Sequence, residues 1–234
     1  MLILETEVVA VAATYVAMNL SDNFTNVTCY GGNNGSASVT ISNGIAPYSY
    51  TWNIPNQSTN TVTNLTAGSY NVTVTDATGA TIGKSFTVTQ PTQLLSTTNI
   101  TNATCNLING SITLNTTGGT APYTYQWQSS SNTSNSLNNI SAGAYQVTVT
   151  DANNCKINNT YPLTTTIPPN LTVSSNPTIC AGQSTTLTAS GASTYQWSNG
   201  QNTPAIAVSP SQTTTYIVTA TSNGCSVKIG RAHV

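Results

Sequence analysis

Apolar and polar residues alternate with period two along most of the chain, the signature of half-buried strands. Val39 and Ile41 point one way while Ser38 and Thr40 point the other. Tyr48, Tyr50 and Trp52 share a face, and so do Tyr70, Val72 and Val74. The pattern returns in Ile112 and Leu114, then Tyr123, Tyr125 and Trp127, then Tyr145, Val147 and Val149. It appears again in Leu187 and Ala189, Tyr195 and Trp197, Ile206 and Val208, and Tyr216 and Val218. No stretch carries an i, i+3, i+4, i+7 stripe, so almost no helix is predicted. Asn-Gly, Gly-Gly and Ala-Gly pairs separate the strands, and Asn and Gly accept the positive φ of tight turns. Short strands punctuated every 8–12 residues predict an all-β, antiparallel sandwich architecture.

The alternation is itself repeated. Residues 34–52, NGSASVTISNGIAPYSYTW, align with 109–127, NGSITLNTTGGTAPYTYQW. Residues 64–80, NLTAGSYNVTVTDATGA, align with 139–155, NISAGAYQVTVTDANNC. Pro47 and Pro122, Trp52 and Trp127, Gly68 and Gly143, and Asp76 and Asp151 are each 75 positions apart. Two copies of one module follow from this register. A shorter third segment keeps the order Cys, strand, Gly, Tyr-x-Trp, Tyr-led strand, Gly-Cys over 180–225. Prolines mark the joints, at Pro91, Pro162, Pro168–Pro169 and Pro177. Proline lacks an N–H and suits a linker or a strand edge. The expected domains are 23–92, 93–166 and 167–228. Residues 1–22 read as strand material left from a preceding module, so the chain reads as a piece of something longer. Each module of about 70 residues has a small core. Tyr50, Trp52, Tyr70, Tyr125, Trp127, Tyr145, Tyr195, Trp197 and Tyr216 are expected to fill the three cores, since each aromatic ring buries about 150–250 Å².

Composition narrows the functions. Charged residues are only 4% of the chain, with four Lys/Arg, five Asp/Glu and a net charge of −1. Nucleic-acid binding needs clustered cations, which this chain lacks. Apolar residues reach 38%, with 11 Tyr and 3 Trp, which is strand composition and not that of a disordered chain. Glu5 and Glu7 interrupt the apolar opening, so no run approaches the roughly 18 apolar residues of a membrane helix. The last six residues, IGRAHV (229–234), match a translated sequencing adapter and read as a non-native tail.

The motifs C-x-G-G-N-N-G-S-A-x-V, APYxYxW and N-L-T-A-G-x-Y-x-V-T-V-T-D-A resemble the SprB repeat of very large surface proteins in gliding and related Bacteroidetes. The resemblance covers roughly 27–82 and 103–157. Segment 178–226 is similar to the PKD-like or Ig-like modules of the same proteins. The resemblance implies tandem Ig-like or PKD-like sandwiches, a secreted, cell-surface location, and a role in adhesion or gliding. It supplies no catalytic residue. Ala80 departs from it, because the repeat normally ends in Cys there.

Five cysteines fit an oxidising, extracellular setting. Four of them, Cys105, Cys155, Cys180 and Cys225, open and close the second and third modules and allow three pairings. The within-module pairing, Cys105 with Cys155 and Cys180 with Cys225, is the expectation. Cys29 then lacks a partner, because Ala80 stands where Cys155 does, and is expected as a buried free thiol; an intermolecular bridge is its functional alternative. No CxxC or neighbouring His supports a metal, and no cofactor is expected.

Catalysis has little to draw on. The lone His233 lies in the suspect tail, and Asp22, Asp76 and Asp151 are spread so that no two share one core module. Asp76 and Asp151, each at a strand end, are expected to cap their own turns and not to hold calcium, which wants several carboxylates. The Asn-x-Ser/Thr triplets at Asn64, Asn71, Asn102 and Asn139 are expected to stay bare in a bacterium. The chain therefore reads as a non-catalytic stalk or adhesion segment, and three modules in a row would make a rod on the order of 90–100 Å. Its expected partners are surface polysaccharide or other cell-surface proteins, met through weak multivalent contacts. The alternative is a carbohydrate-binding accessory of an extracellular enzyme, which requires an exposed aromatic strip in each module.

Overall fold

The computed structural model describes residues 17–128, 130–175 and 178–233. They form strands and turns, and no helix occurs among them. The fold is all-β, as the alternation predicts. Most of the segment 1–22 and the joint at Pro177 fall outside the described residues.

The first sandwich comprises β1 (Asn19–Thr25), β2 (Gly35–Ser42), β3 (Ser49–Trp52), β4 (Thr61–Leu65), β5 (Gly68–Thr75) and β6 (Thr81–Val88). One sheet has the order β1-β2-β4 and the other β3-β5-β6, with every pair antiparallel. The second sandwich repeats this with β7 (Leu95–Thr101), β8 (Gly110–Thr117), β9 (Thr124–Trp127), β10 (Ser136–Ile140), β11 (Gly143–Thr150) and β12 (Lys156–Leu163). The third uses β13 (Thr172–Val173), β14 (Thr185–Ser190), β15 (Thr194–Trp197), β16 (Ala205–Val208), β17 (Thr214–Ser222) and β18 (Cys225–His233). Lettered in the immunoglobulin convention, each is an A-B-E sheet on a C-F-G sheet, with strand D left out.

By residue contacts the chain divides into two units. One runs through Leu94 and takes in Gly118–Ala121 and Ala152–Cys155; the other holds Leu95–Thr117, Pro122–Asp151 and the chain from Lys156 onward.

At both ends of the described residues the strands reach beyond the segments assigned from sequence. β1 takes in Asn19–Asp22, pairing Leu20 with Ile41 and Asp22 with Val39, because Leu20 adds apolar cover to the first core. Asp22 also meets Lys84 at 3.2 Å. β18 runs on through residues 229–233, since Val227 and Ile229 both pack on the third core while pairing with Ala220 and Val218.

Each core centres on one tryptophan. Trp52, Trp127 and Trp197 are 6%, 2% and 2% exposed. Aliphatic residues surround them, such as Val39, Val72 and Val74, then Ile112, Val147 and Val149, then Leu187, Val218 and Ala220. A buried indole N–H needs an acceptor. Each finds one in the loop that carries the chain back to the opposite sheet: Thr59 O at 2.8 Å, Ser134 O at 3.0 Å and Thr203 O at 3.0 Å. The indole thus fills the core and fixes the C-to-E crossover.

The tyrosines stand on the same faces but nearer the rim. Tyr50, Tyr70, Tyr125, Tyr145, Tyr195 and Tyr216 are half-buried against their cores. Their hydroxyls explain the position. Tyr70 donates to Thr66 O at 2.9 Å, and Tyr145 to Ser141 O at 2.8 Å, each bracing the turn into strand F. This is the tyrosine-corner arrangement of immunoglobulin-type sandwiches. In the first sandwich Phe86 sits among Phe24, Trp52 and Tyr70, with ring centroids 5.4–6.0 Å away.

Some glycines differ from the turn role expected of them. Gly35 and Gly110 open strands β2 and β8 without a positive φ. A Cβ on Gly35 would lie 2.9 Å from Leu65 O, and one on Gly110 2.9 Å from Leu163. Close packing, not turn geometry, therefore requires glycine there. The left-handed position before each Ala-Gly turn falls within the strand, on Asn64 (φ 60°) in β4 and Asn139 (φ 53°) in β10, where the pairing with β2 and β8 shifts register. Asparagine tolerates that conformation, which accounts for its place in both copies.

Candidate functional site

Two loops of each repeat carry the chemistry: the A–B loop that opens with Thr-Cys, and the F–G hairpin that begins at an aspartate.

The A–B loops are clamped alike. Asn34 accepts from the Thr28 backbone N–H at 3.0 Å and donates to the Thr28 hydroxyl at 2.7 Å. Asn109 does the same for Thr104, at 2.9 and 2.7 Å. Just before the cysteine, Val27 N–H donates to Thr89 O and Ala103 N–H to Thr164 O, both at 2.9 Å. Asn26 and Asn102 accept from the N–H groups of Thr89 and Thr164. The loop is thereby tied beside the residues that follow strand G, which places Cys29 past the end of β6 and Cys105 past the end of β12.

The F–G hairpin of the first repeat is organised by Asp76. Its carboxylate accepts from Thr78 Oγ1 (2.6 Å), Thr78 N–H (2.9 Å), Ala80 N–H (3.1 Å) and Ile45 N–H (3.3 Å). This is the turn cap expected from sequence. The Thr78 hydroxyl, then the backbone donors from Ile45, Thr78 and Ala80, hold its pKa below the ordinary carboxylate value, against an opposing desolvation effect. A carboxyl with a lowered native pKa stabilises the fold fully above its unfolded value near 4, and that contribution fades as pH falls through the native value. Asp76→Asn is therefore expected to lower the melting temperature at pH 7. The gap to the parent should narrow as the pH drops below about 4, which melts at pH 7, 4 and 2.5 would show.

In the second repeat Asp151 is buried at the same place. Ala152 N–H donates to Thr120 O at 2.8 Å, as Ala77 N–H does to Ile45 O at 2.9 Å. Asn153 Nδ2 donates to Thr120 Oγ1 at 3.0 Å and to Thr28 O at 3.2 Å. The hairpin of the second repeat thus engages the A–B loop of the first. No three His, Cys, Asp or Glu side chains gather as a metal site among the described residues.

The disulfides correct the within-module expectation. Cys29 bonds to Cys155 and Cys105 to Cys225, with Cα–Cα distances of 5.7 and 5.3 Å. Cys29, expected free, is bridged, while Cys180, expected bridged, keeps a free, exposed thiol. The reason is strand length. Cys155 immediately precedes β12, whereas Cys105 lies past its far end, its N–H donating to Thr166 Oγ1 at 3.1 Å. The eight residues of β12 span roughly 26 Å at about 3.3 Å each, far beyond the ~7 Å Cα limit of a disulfide. Each bridge instead joins the A–B loop of one sandwich to the F–G hairpin of the next. Thr166 Oγ1 lies 3.2 Å from Cys225 Sγ, so the chain segment after β12 also touches the second bridge.

Trypsin reads this connectivity directly. Cleavage after Lys84, Lys156 and Lys228 separates Cys29, then Cys105 with Cys155, then Cys180 with Cys225. After alkylation and digestion without reductant, peptides 1–84, 85–156 and 157–228 are expected as one cross-linked species with a single alkylated cysteine, Cys180. Three unlinked peptides would mean the within-module pairing.

Among solved structures, the chain is similar to the three N-terminal domains of the bacteriophage RB49 highly immunogenic outer capsid protein. The identity is 14% and the TM-score 0.42, covering 92% of this chain and 97% of that one. It is similar to Sidekick-1 immunoglobulin domains 1–5 at 12% identity and TM-score 0.38, covering 95% of this chain and 60% of that one. A C-terminal fragment of intimin, solved with the intimin-binding domain of its translocated receptor, matches at 16% identity and TM-score 0.37, over 68% and 66% of the two chains. A search of curated proteins found no match. Residues 21–56 and 97–132 match the family model of the SprB repeat, a span that in each copy runs from strand A through the cysteine loop and past the core tryptophan.

Proposed function

We propose that this chain is a non-catalytic segment of a large, secreted bacterial surface protein, serving as an adhesin stalk or an adhesion and gliding module. The observation that carries the reading is a SprB repeat matched twice, in sandwiches whose successive members are joined by disulfides. Disulfides persist in oxidising compartments, which supports an extracellular location. The third sandwich serves as a PKD-like or Ig-like module of the same array.

The burial of the three tryptophans favours this over a carbohydrate-binding accessory, which needs open aromatic faces. The concave strip beside Trp127 is lined by Gln126, Gln128, Gln146, Thr148 and Asn158, with no other ring. An antibody raised against the purified chain is expected to label intact cells of the source organism, and a glycan array probed with the chain should stay blank. Labelling only after lysis would overturn the surface reading. A strong glycan signal would favour the carbohydrate-binding one.

A further inference from the structure

The two bridges close overlapping loops, 29–155 and 105–225. Two bridges in series would each protect their own stretch. Overlapping bridges leave the chain with several covalent routes between Cys29 and Cys225, and a chain under tension can lengthen only as far as the shortest one. That route enters at Cys29, crosses to Cys155, runs backward through the second repeat to Cys105, and crosses to Cys225. It covers about 50 residues, where the backbone alone covers about 196.

We propose that the overlapping disulfides form an extension limiter in which each bridge is the reserve of the other. This inference rests on connectivity alone and not on the surface-protein reading. Tension applied at the ends of the described chain passes through β1, through the residues between Cys105 and Cys155, and through β18. The rest of the first sandwich, β2 to β6, lies off the route. So do β7 and β12, the terminal strands through which an unbridged second repeat would be pulled. The second repeat is loaded instead through its A–B loop and its F–G hairpin.

The reserve role follows from counting. With both bridges, the fully stretched chain between residues 17 and 233 spans about 70 residues, or roughly 250 Å at ~3.5 Å each. Losing Cys105–Cys225 alone adds about 20 residues, and losing Cys29–Cys155 alone adds about 26, or roughly 70–90 Å in either case. Losing both adds about 146 residues, roughly 500 Å.

Single-molecule force spectroscopy on the full chain, tethered at both ends, tests this. Oxidised parent, Cys29→Ser/Cys155→Ser, Cys105→Ser/Cys225→Ser and the quadruple variant would each be stretched until no further step occurs. Contour length after the last step does not depend on how stable each variant is. The expected result is strong non-additivity: two small increments from the paired variants and one some three times their sum from the quadruple variant. Parent treated with dithiothreitol should match the quadruple variant, a control that needs no mutation. Additive increments, or an oxidised parent that extends as far as the reduced one, would overturn the limiter.

Discussion

Trp127→Ala is expected to destabilise the second sandwich by about 3–5 kcal/mol. Three losses combine. The indole is among the largest fully buried side chains, packed with Ile112, Leu114, Val147 and Val149. Its removal leaves a cavity between two sheets of short strands that cannot close over it. It also strands the Ser134 carbonyl, which accepts the indole N–H at 3.0 Å and holds the loop into β10. A domain of about 70 residues has on the order of 4–10 kcal/mol in all, so the variant should leave this sandwich close to unfolding at room temperature. Calorimetry would show its transition lost or shifted far down, with the other two little changed. Trp127→Phe, which keeps most of the apolar volume and gives up the N–H, should fall between parent and Ala. A melt of Trp127→Ala that superimposes on the parent would mean the ring does not carry the core.

Cys29→Ser should have the next largest effect, and on a sandwich that Cys29 does not belong to. When the second repeat unfolds beside a folded first repeat, the bridge to Cys155 holds the loosened chain in a closed loop of about 65 residues. On the chain-entropy account such a closure disfavours the unfolded state by up to about 4 kcal/mol. The variant removes that constraint and leaves Cys155 as a thiol. The second repeat should melt earlier, while the first, whose core lies among β1 to β6, keeps its transition. An unchanged second transition, or a fall in the first alone, would show that the bridge does not constrain the second repeat.

The strands, the two-copy register and the inward tryptophans could all be read from the sequence, because period-two alternation reports directly which residues face a core. Tyrosine depth could not. Apolar faces predict that Tyr70 and Tyr145 turn inward, but their hydroxyls must reach carbonyls at the corner, which holds both rings at the rim. Phe86 carries no signal in the sequence, because its strand, β6, has a mostly polar pattern and its role comes only from Phe24, Trp52 and Tyr70 around it. The cysteine pairing does not follow from module membership, because proximity in sequence within a module says nothing about which pole of the sandwich a loop occupies. A signal was nevertheless present. Three cysteines stand in A–B loops, Cys29, Cys105 and Cys180, and two in F–G hairpins, Cys155 and Cys225, with the missing one in the first module. That stagger fits pairing between neighbours and leaves the last A–B cysteine over.

The single indole at the centre of each sandwich gives the chain three native optical reporters. Excitation on the red edge of the indole band sees these rings and not the tyrosines, and each ring is buried, so its emission shifts to the red when its own sheets part. Variants that keep one tryptophan and carry phenylalanine at the other two positions would assign a spectral red-shift to one sandwich at a time. The order in which the three come apart could then be followed in real time without attaching a dye.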